Sequence, residues 1–177
     1  MAIESEQPKG REILLPDVKI FLAEARAKTY ASNIKPQKTP MIPGSKELRF
    51  KGSGWVYHDR YFDASRRPGN FAGVELITAD DFWGSKHLMV YSYGGGLTQE
   101  GLELGEEEVY GSLQKFLKEE AARARMGESF NVTNGEWEYE NEGEVTDWGW
   151  RDHEVLRKNG VLVHEVNAQG ICLIKGF

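Results

Sequence analysis

Two glutamates are the side chains whose surroundings most favour chemistry. Glu75 lies in FAGVELI, where Phe71 and Ile77 share its strand face, and Glu154 shares a strand face with Trp150. An ionised carboxylate among apolar groups needs a partner, or else it stays protonated. Both positions therefore predict either a buried ion pair or a pocket that receives a cationic or hydrogen-bonding ligand.

The ion-pair interpretation needs a cation near Glu75. Arg60, from the preceding strand, and Arg66, from the turn that follows it, are the candidates. We expect one of them to pair with Glu75. Arg66 and Arg67 also fit a solvated turn, and no motif around them indicates a phosphate or carboxylate ligand.

Aromatic side chains would form the walls of such a pocket. Most aromatic residues in strands belong to the core, but five tryptophans are many for 177 residues, and tyrosine hydroxyls need partners. The candidate ligand-binding set is Trp55, Tyr57, Arg60, Tyr61, Glu75, Trp83, Tyr91, Tyr93, Trp150 and Glu154. A cleft between two halves of the molecule is where these residues would converge.

Familiar catalytic and metal motifs do not occur in the sequence. It has no GxSxG, phosphate loop or HExxH, and its four histidines form no HxH or HxxxH pair. We therefore expect no cofactor, no metal and no catalytic residue, with an enzyme that uses Glu75 as acid or base kept as an alternative. The single Cys172 excludes an intrachain disulfide and lies in the apolar run GICLI, which is typical of a buried structural thiol.

The composition is that of an ordinary soluble globular chain, with 40% hydrophobic and 28% charged residues. A net charge of −6 argues against a large nucleic-acid footprint. No apolar run approaches the ~20 residues needed to cross a membrane, and the first residues lack the design of a signal peptide. We expect a cytoplasmic protein with neither a membrane nor a nucleic-acid partner.

Residues 54–96 have a weaker counterpart at residues 136–170. The pair Trp55 and Tyr57 is matched by Trp137 and Tyr139, and each stretch carries a glutamate four residues after an aromatic residue. Such a similarity of order predicts one supersecondary unit used twice. A chance alignment of aromatic-rich strands is the alternative, since the spacings differ.

An amphipathic helix precedes each of these stretches. The first is expected to begin at Pro16, and the second to run from Glu106 to Met126, with Gly127 ending it. The buried stripes are Val18, Phe21, Leu22 and Ala25 in the first helix, and Val109, Leu113, Phe116, Leu117 and Ala121 in the second.

Strand patterns fill most of the remaining chain. After a proline-rich connector at 34–45, strands are expected at 48–51, 54–62, 71–78 and 87–93, the last ended by Gly94-Gly95-Gly96. After the second helix, they are expected at 136–142, 154–157, 161–166 and 171–175. Asn159-Gly160 is a strong hairpin signal.

The sequence thus predicts an α+β fold made of two tandem helix-plus-antiparallel-strand units, α-β-β-β-β-α-β-β-β-β, in one pseudo-duplicated domain. Residues 1–15 are expected to be a flexible N-terminus. Residues 16–177 are expected to form the domain, with repeat-like halves at about 16–97 and 105–177.

The motifs Trp55-x-Tyr57, Tyr61-Phe62, Phe71-x-Gly73-x-Glu75 and Tyr91-x-Tyr93-Gly94 resemble an uncharacterised bacterial family, a domain of unknown function found alone or fused behind a helix-turn-helix segment. The resemblance covers roughly residues 17–175 and implies no activity. Asp152 departs from the pattern at the place that Gly73 holds in the first half. At fold level the layout is also similar to gyrase-inhibitor-like effector-binding domains, which implies cationic or aromatic ligands bound between two repeats.

A small-molecule-binding, sensor-like domain is the leading functional hypothesis. Its site would be a cleft between the halves, with Glu75 and Glu154 as acidic groups and a cationic or aromatic ligand. The alternative is a module without enzymatic activity that joins another protein, or a second copy of itself as a homodimer, through an aromatic patch or a sheet edge.

Overall fold

One antiparallel sheet dominates the computed structural model, which describes residues 15–29, 32, 35–38, 42–64, 68–81 and 84–174. The strands of this described part are β1 Gln37–Lys38, β2 Ser45–Gly52, β3 Trp55–Asp63, β4 Asn70–Asp81, β5 Gly84–Leu97, β6 Phe130–Asn134, β7 Trp137–Thr146, β8 Gly149–Lys158 and β9 Val161–Cys172. Their order across the sheet is β1-β2-β3-β4-β5-β9-β8-β7-β6, with every pair antiparallel. The α+β class is therefore confirmed, and β5 and β9 join the two halves into a single sheet.

The described residues form three helices, and the first and third lie on one face of the sheet, called the inner face because its strand residues, such as Tyr57 and Tyr139, are buried. The helices are α1 Leu15–Lys28, α2 Gln99–Leu104 and α3 Glu106–Glu119. Helix α1 packs with the β3, β4 and β5 side of the sheet, whereas α3 packs on Leu97, Tyr139 and Leu156. None of the described helices has the length and apolar character needed to cross a bilayer.

The two predicted helices are present, with one difference in extent. The four stripe residues of α1 are buried, as are those of α3 up to Leu117. Helix α3 stops at Glu119 instead of Met126, and Ala121 is only half-buried in the turns that follow. Helix α2 was not predicted; Thr98 caps it through a hydrogen bond from Gly101 N, and Gly105 (φ 101°) separates it from α3.

The prediction that Gly94-Gly95-Gly96 ends a strand was wrong. Strand β5 continues to Leu97, and a Cβ atom at Gly95 would clash with the backbone carbonyl of Glu165 on β9. The glycines therefore allow two backbones to approach closely inside the sheet. Strand β9 is likewise continuous from Val161 to Cys172, so the separate strand expected at 171–175 does not form, whereas β6 was not predicted.

The Asn159-Gly160 hairpin is confirmed. Asn159 and Gly160 connect β8 to β9 with φ values of 51° and 78°, the pair of positive angles that a type I′ turn requires. Register on both sides of this turn determines which side chains reach the inner face. Glu154 of β8 is paired there with Val166 of β9 and with Asn141 of β7.

Candidate functional site

Glu75 is completely buried on the inner face and forms an ion pair with Arg26 of helix α1. Arg26 Nε and Nη2 both donate to Glu75 Oε2, at 3.0 and 2.7 Å. The prediction that Arg60 pairs with Glu75 was wrong. Arg60 is on the opposite face of β3, where it donates to Glu47 at 2.9 Å. Arg66 lies outside the described residues.

Glu154 forms the second buried ion pair, with Arg125. Arg125 Nε donates to Oε2 at 2.8 Å and Nη2 donates to Oε1 at 2.7 Å, while the Tyr139 hydroxyl donates to Oε2 at 2.7 Å. Burial alone would raise the pKa of Glu154, but the charge and hydrogen bonds of Arg125 outweigh burial and lower it. Glu154 is therefore an ionised carboxylate with both oxygens bonded.

The segment after α3 connects the two ion pairs. Arg125 has a φ of 58°, a left-handed conformation that is uncommon for residues other than glycine. In this conformation its carbonyl accepts hydrogen bonds from Arg26 Nη1 at 3.2 Å and from Trp150 Nε1 at 3.0 Å. Arg26 Nη1 also donates to the Ala124 carbonyl at 3.1 Å. The first helix thus holds the segment after the third helix through buried polar contacts.

A third buried carboxylate, Asp59 of β3, has a different environment. It is 3% exposed, and its Oδ1 accepts a hydrogen bond of 2.5 Å from the Tyr93 hydroxyl. That hydroxyl passes over Gly73, where any Cβ atom would clash with it. Burial raises the pKa of Asp59 to about 7, and the nearby Glu75 adds to the rise. Within the described part of the chain, Asp59 has no ion-pair partner.

Asp152 of β8 gives the contrasting case. Its carboxylate accepts hydrogen bonds from Asn141 Nδ2 and Gly127 N, both at 2.9 Å to Oδ1, and from the Tyr91 hydroxyl at 3.1 Å to Oδ2. Burial raises the pKa of Asp152, and these donors oppose the rise. Donors from three different elements therefore replace the water that Asp152 loses on burial.

A cavity of about 450 Å³ opens beside Asp59, between the inner face and α3. We call it the inner cavity. Its lining consists of Lys46, Leu48, Asp59, Tyr61, Asp63, Ala64, Pro68, Gly69, Asn70, Phe71, Tyr93, Glu106, Tyr110, Leu113, Gln114, Leu117 and Arg125. The volume is in the range of small-molecule sites, and the lining combines apolar and aromatic walls with a few charged groups.

A second cavity, about 790 Å³, is a shallow groove on the other face of the sheet, called the outer groove. Polar side chains dominate its lining, including Glu142, Glu144, Arg151, His153 and Gln169. His153 Nε2 lies 2.9 Å from Glu165 Oε1, and its Nδ1 lies 3.7 Å from Glu142 Oε2. Because these groups are largely solvated, the groove offers a ligand little desolvated contact.

The structure brings only two of the predicted site residues into the inner cavity, Tyr61 and Tyr93. Tyr57, Tyr91 and Trp150 are core residues. Trp55 packs edge-on against Phe21, with ring centroids 5.3 Å apart. The remaining predicted site residues line neither cavity: Arg60, Glu75 and Glu154 are in the ion pairs described above, and Trp83 lies outside the described residues.

His164 of β9 is buried between the rings of Phe71 and Tyr110, with centroids 6.0 and 5.7 Å away. Neither ring nitrogen has a hydrogen-bond partner among the residues that the structure describes, and burial lowers the pKa of His164 to about 4. The ring is therefore neutral at physiological pH. Across the described ranges, no group of three or more His, Cys, Asp and Glu side chains is arranged to hold a metal ion.

Sequence reasoning missed Asp59, Arg26 and Arg125 as members of the buried polar system. Asp59 could have been found, since it alternates with Trp55, Tyr57 and Tyr61 on one strand face. The signal for Arg26 was its position four residues after Leu22 in the buried stripe of α1. Nothing comparable marks Arg125, whose place depends on the turn after α3.

Comparison of the chain with family models, with curated proteins and with solved structures finds no match. The functional reading of the site therefore rests on its own geometry.

Proposed function

We propose that the protein binds a small organic cation in the inner cavity, with the Asp59 carboxylate as its counter-ion. The observation that carries the proposal is the state of Asp59: nearly fully buried, part of the cavity lining, and bonded by a single described donor at Oδ1. A protonated amine at Oδ2 would supply both the missing hydrogen bond and the missing charge.

The cavity walls suit the body of such a ligand. Tyr61, Phe71, Tyr93 and Tyr110 present aromatic rings, which attract cations through their faces and bury apolar groups. Of the two basic residues in the lining, Arg125 is bonded to Glu154 and Lys46 is paired with Asp63. Their charges are balanced by these partners, so Asp59 and Glu106 are the carboxylates of the lining without an ion pair among the described residues.

We also infer that the domain is built from a duplicated unit. The register of the sheet supports this inference. In the first half Asp59 is paired with Glu75 and Tyr57 with Ile77. In the second half Asn141 is paired with Glu154 and Tyr139 with Leu156 in the same order. An arginine near the end of a helix bonds the glutamate in each half. The inner cavity would then lie between the two units, because the strands of the first and helix α3 of the second both contribute to its lining.

A thermal-shift and calorimetric comparison of amines with their neutral analogues tests the cation-binding proposal. Benzylamine and octylamine should raise the melting temperature, because a ligand that binds only the folded protein stabilises it. Benzyl alcohol and octanol should not. Binding should strengthen from about pH 6 to about pH 8, since Asp59 loses its proton over that range while the amine keeps its charge.

The informative variant is Asp59→Asn, which keeps the shape of the side chain and removes the charge. It should weaken amine binding at least about tenfold. Glu144→Gln is the matched control, because it removes one exposed carboxylate from the outer groove and should leave binding unchanged. The proposal fails if no amine shifts the melting temperature, or if the shift is the same in Asp59→Asn.

An acid–base enzyme at the same carboxylate is the second candidate function. A buried carboxyl with a pKa of about 7, in a cavity and bonded to a tyrosine hydroxyl, could take or give a proton near neutral pH. Mass spectrometry of the bound amines after long incubation separates the two functions. Recovery of unchanged ligand supports binding alone, and a product that depends on Asp59 supports the enzyme.

A further inference from the structure

The lining of the inner cavity follows both α3 and β3 along their lengths. Along α3, its lining residues Glu106, Tyr110, Leu113 and Leu117 form one stripe of the helix. The stripe spans eleven residues, or roughly 16 Å at the rise of an α-helix. The cavity is therefore long enough to take an extended chain.

Strand β3, opposite α3, lines the cavity over a similar length. Asp59, Tyr61 and Asp63 of β3 line the cavity in alternation, and four residues of strand span about 13 Å. Asp59 is buried, as are the lining residues Leu117 and Arg125, and these residues mark the closed end. Asp63 is exposed and marks the mouth, where its carboxylate is paired with Lys46.

Glu106 places a second carboxylate at this mouth. It is the first residue of α3 and exposed, and it has no ion pair among the described residues. Both Glu106 and Asp63 act on the hydroxyl of Tyr110, whose pKa burial raises and these two carboxylates raise further. Glu106 and Asp63 are therefore at the same end of the cavity, with Asp59 at the other.

We infer that the cavity takes a linear diamine or polyamine, with one ammonium group at Asp59 and a second at Glu106. This inference rests on the proposed cation binding and specifies its ligand class. The methylene chain between the nitrogens would run past Tyr61, Phe71 and Leu113, which bury it. A ligand with a single charge would make no ion pair with the carboxylate at the mouth.

Calorimetry with diaminooctane and octylamine tests the inference, because the two share a chain length and differ in the second ammonium group. The diamine should bind about fivefold more tightly, as expected for a partly solvated ion pair. Glu106→Gln should remove that advantage, so that the diamine and octylamine bind this variant about equally. Glu107→Gln is the control, since Glu107 is in the same helical turn, is exposed and does not line the cavity.

Three outcomes are distinguishable. A diamine advantage that Glu106→Gln abolishes and Glu107→Gln preserves supports the inference. Equal binding of diamine and monoamine, or an advantage that survives Glu106→Gln, overturns it and leaves the cation-binding proposal standing. Absence of binding by both compounds overturns the inference and the cation-binding proposal together.

Discussion

Residues 15–97 and residues 106–172 each bury an arginine–glutamate pair on the inner face, but the two pairs are bonded differently. Both donors of Arg26 converge on one oxygen of Glu75, and Glu75 Oε1 has no hydrogen-bond partner among the described residues. Arg125 bonds both oxygens of Glu154, with Tyr139 as a third donor. The second carboxylate is more fully satisfied than the first.

The polar residues beside the two glutamates also differ in how fully they are hydrogen-bonded. Opposite Glu75 the sheet carries Asp59, which is bonded by Tyr93 and lines a cavity, whereas opposite Glu154 it carries Asn141. Asn141 donates to Asp152, whose carboxylate also has two other donors. The two buried carboxylates of the second region are therefore bonded by protein donors at both oxygens, and Asp59 of the first region retains an oxygen that no described donor reaches. Under the proposed cation binding, two positions with matching register would serve packing in one region and binding in the other.

The largest effects on stability should come from removing one member of a buried ion pair, which leaves the other member without its partner. We expect Arg125→Met to lower the free energy of unfolding by about 3–5 kcal/mol, because Glu154 is left charged and buried. Arg125→Met combined with Glu154→Gln should recover at least about 1 kcal/mol by removing that charge. Urea unfolding of the single and double variants measures both values.

The same pair of variants at Arg26 and Glu75 tests whether the two ion pairs differ. Arg26→Met with Glu75→Gln should recover less than the corresponding double variant of the second pair, because Arg26 also donates to the carbonyls of Ala124 and Arg125. Those acceptors stay buried and lose a donor whether or not Glu75 is charged. Equal recovery in the two halves would contradict the distinction between the pairs.

Asp59→Asn gives the first region the residue type of the second, and its effect should depend on pH. The pKa of Asp59 is 3.8 in the unfolded chain and about 7 when folded, so the folded protein binds the extra proton between these values. Stability of the natural protein should therefore fall as pH rises through this window, by up to about 4 kcal/mol. Asp59→Asn should lack that fall, as denaturant unfolding at pH 4, 5.5, 7 and 8 would reveal.

His164→Met is the opposite exchange, since it gives the second region the residue type of the first. In the first region Met89 is paired with Ile77, and at the matching place in the second region His164 is paired with Leu156. The pKa of His164 falls from 6.5 to about 4 on folding, so the unfolded chain takes up the proton first. Stability due to neutral His164 is lost as pH falls through this window, about 3 kcal/mol in all. His164→Met should gain stability relative to the natural protein at acid pH.

His87→Met is the control for this change, since it removes a histidine that is exposed and leaves the buried one in place. Asp59 and His164 act in opposite directions between about pH 4 and about pH 6.5. The natural protein should therefore vary less in stability over that range than either variant. A steeper dependence in the natural protein would contradict the assignment of these two groups.

Much of the fold could be read from local pattern. The stripe of α1, the alternation of Trp55, Tyr57 and Tyr61, and the Asn159-Gly160 turn each depend on residues close in sequence, and all three are confirmed. The glycines of β5 were misread because their role depends on the backbone of β9, some 70 residues later in the chain.

The candidate site was only partly predictable, for the same reason. That Glu75 and Glu154 would be buried and in need of partners followed from their apolar neighbours in the strand, and the structure places both in ion pairs. Their partners lie 49 and 29 residues away in the sequence. No local pattern indicates such a pairing.

The sequence by itself determined most of the periodicities: where α1, α3 and most of the strands lie, which of their faces are apolar, and that Glu75 and Glu154 cannot remain in water. These follow from side-chain spacing and solvation, which act over a few residues. Only the tertiary structure decided that Arg26 and Arg125 neutralise the two glutamates and that the cavity falls beside Asp59 instead. Those outcomes depend on the register of β5 on β9 and on where the chain turns after α3, because charge pairing and cavity shape depend on distances between elements far apart in sequence.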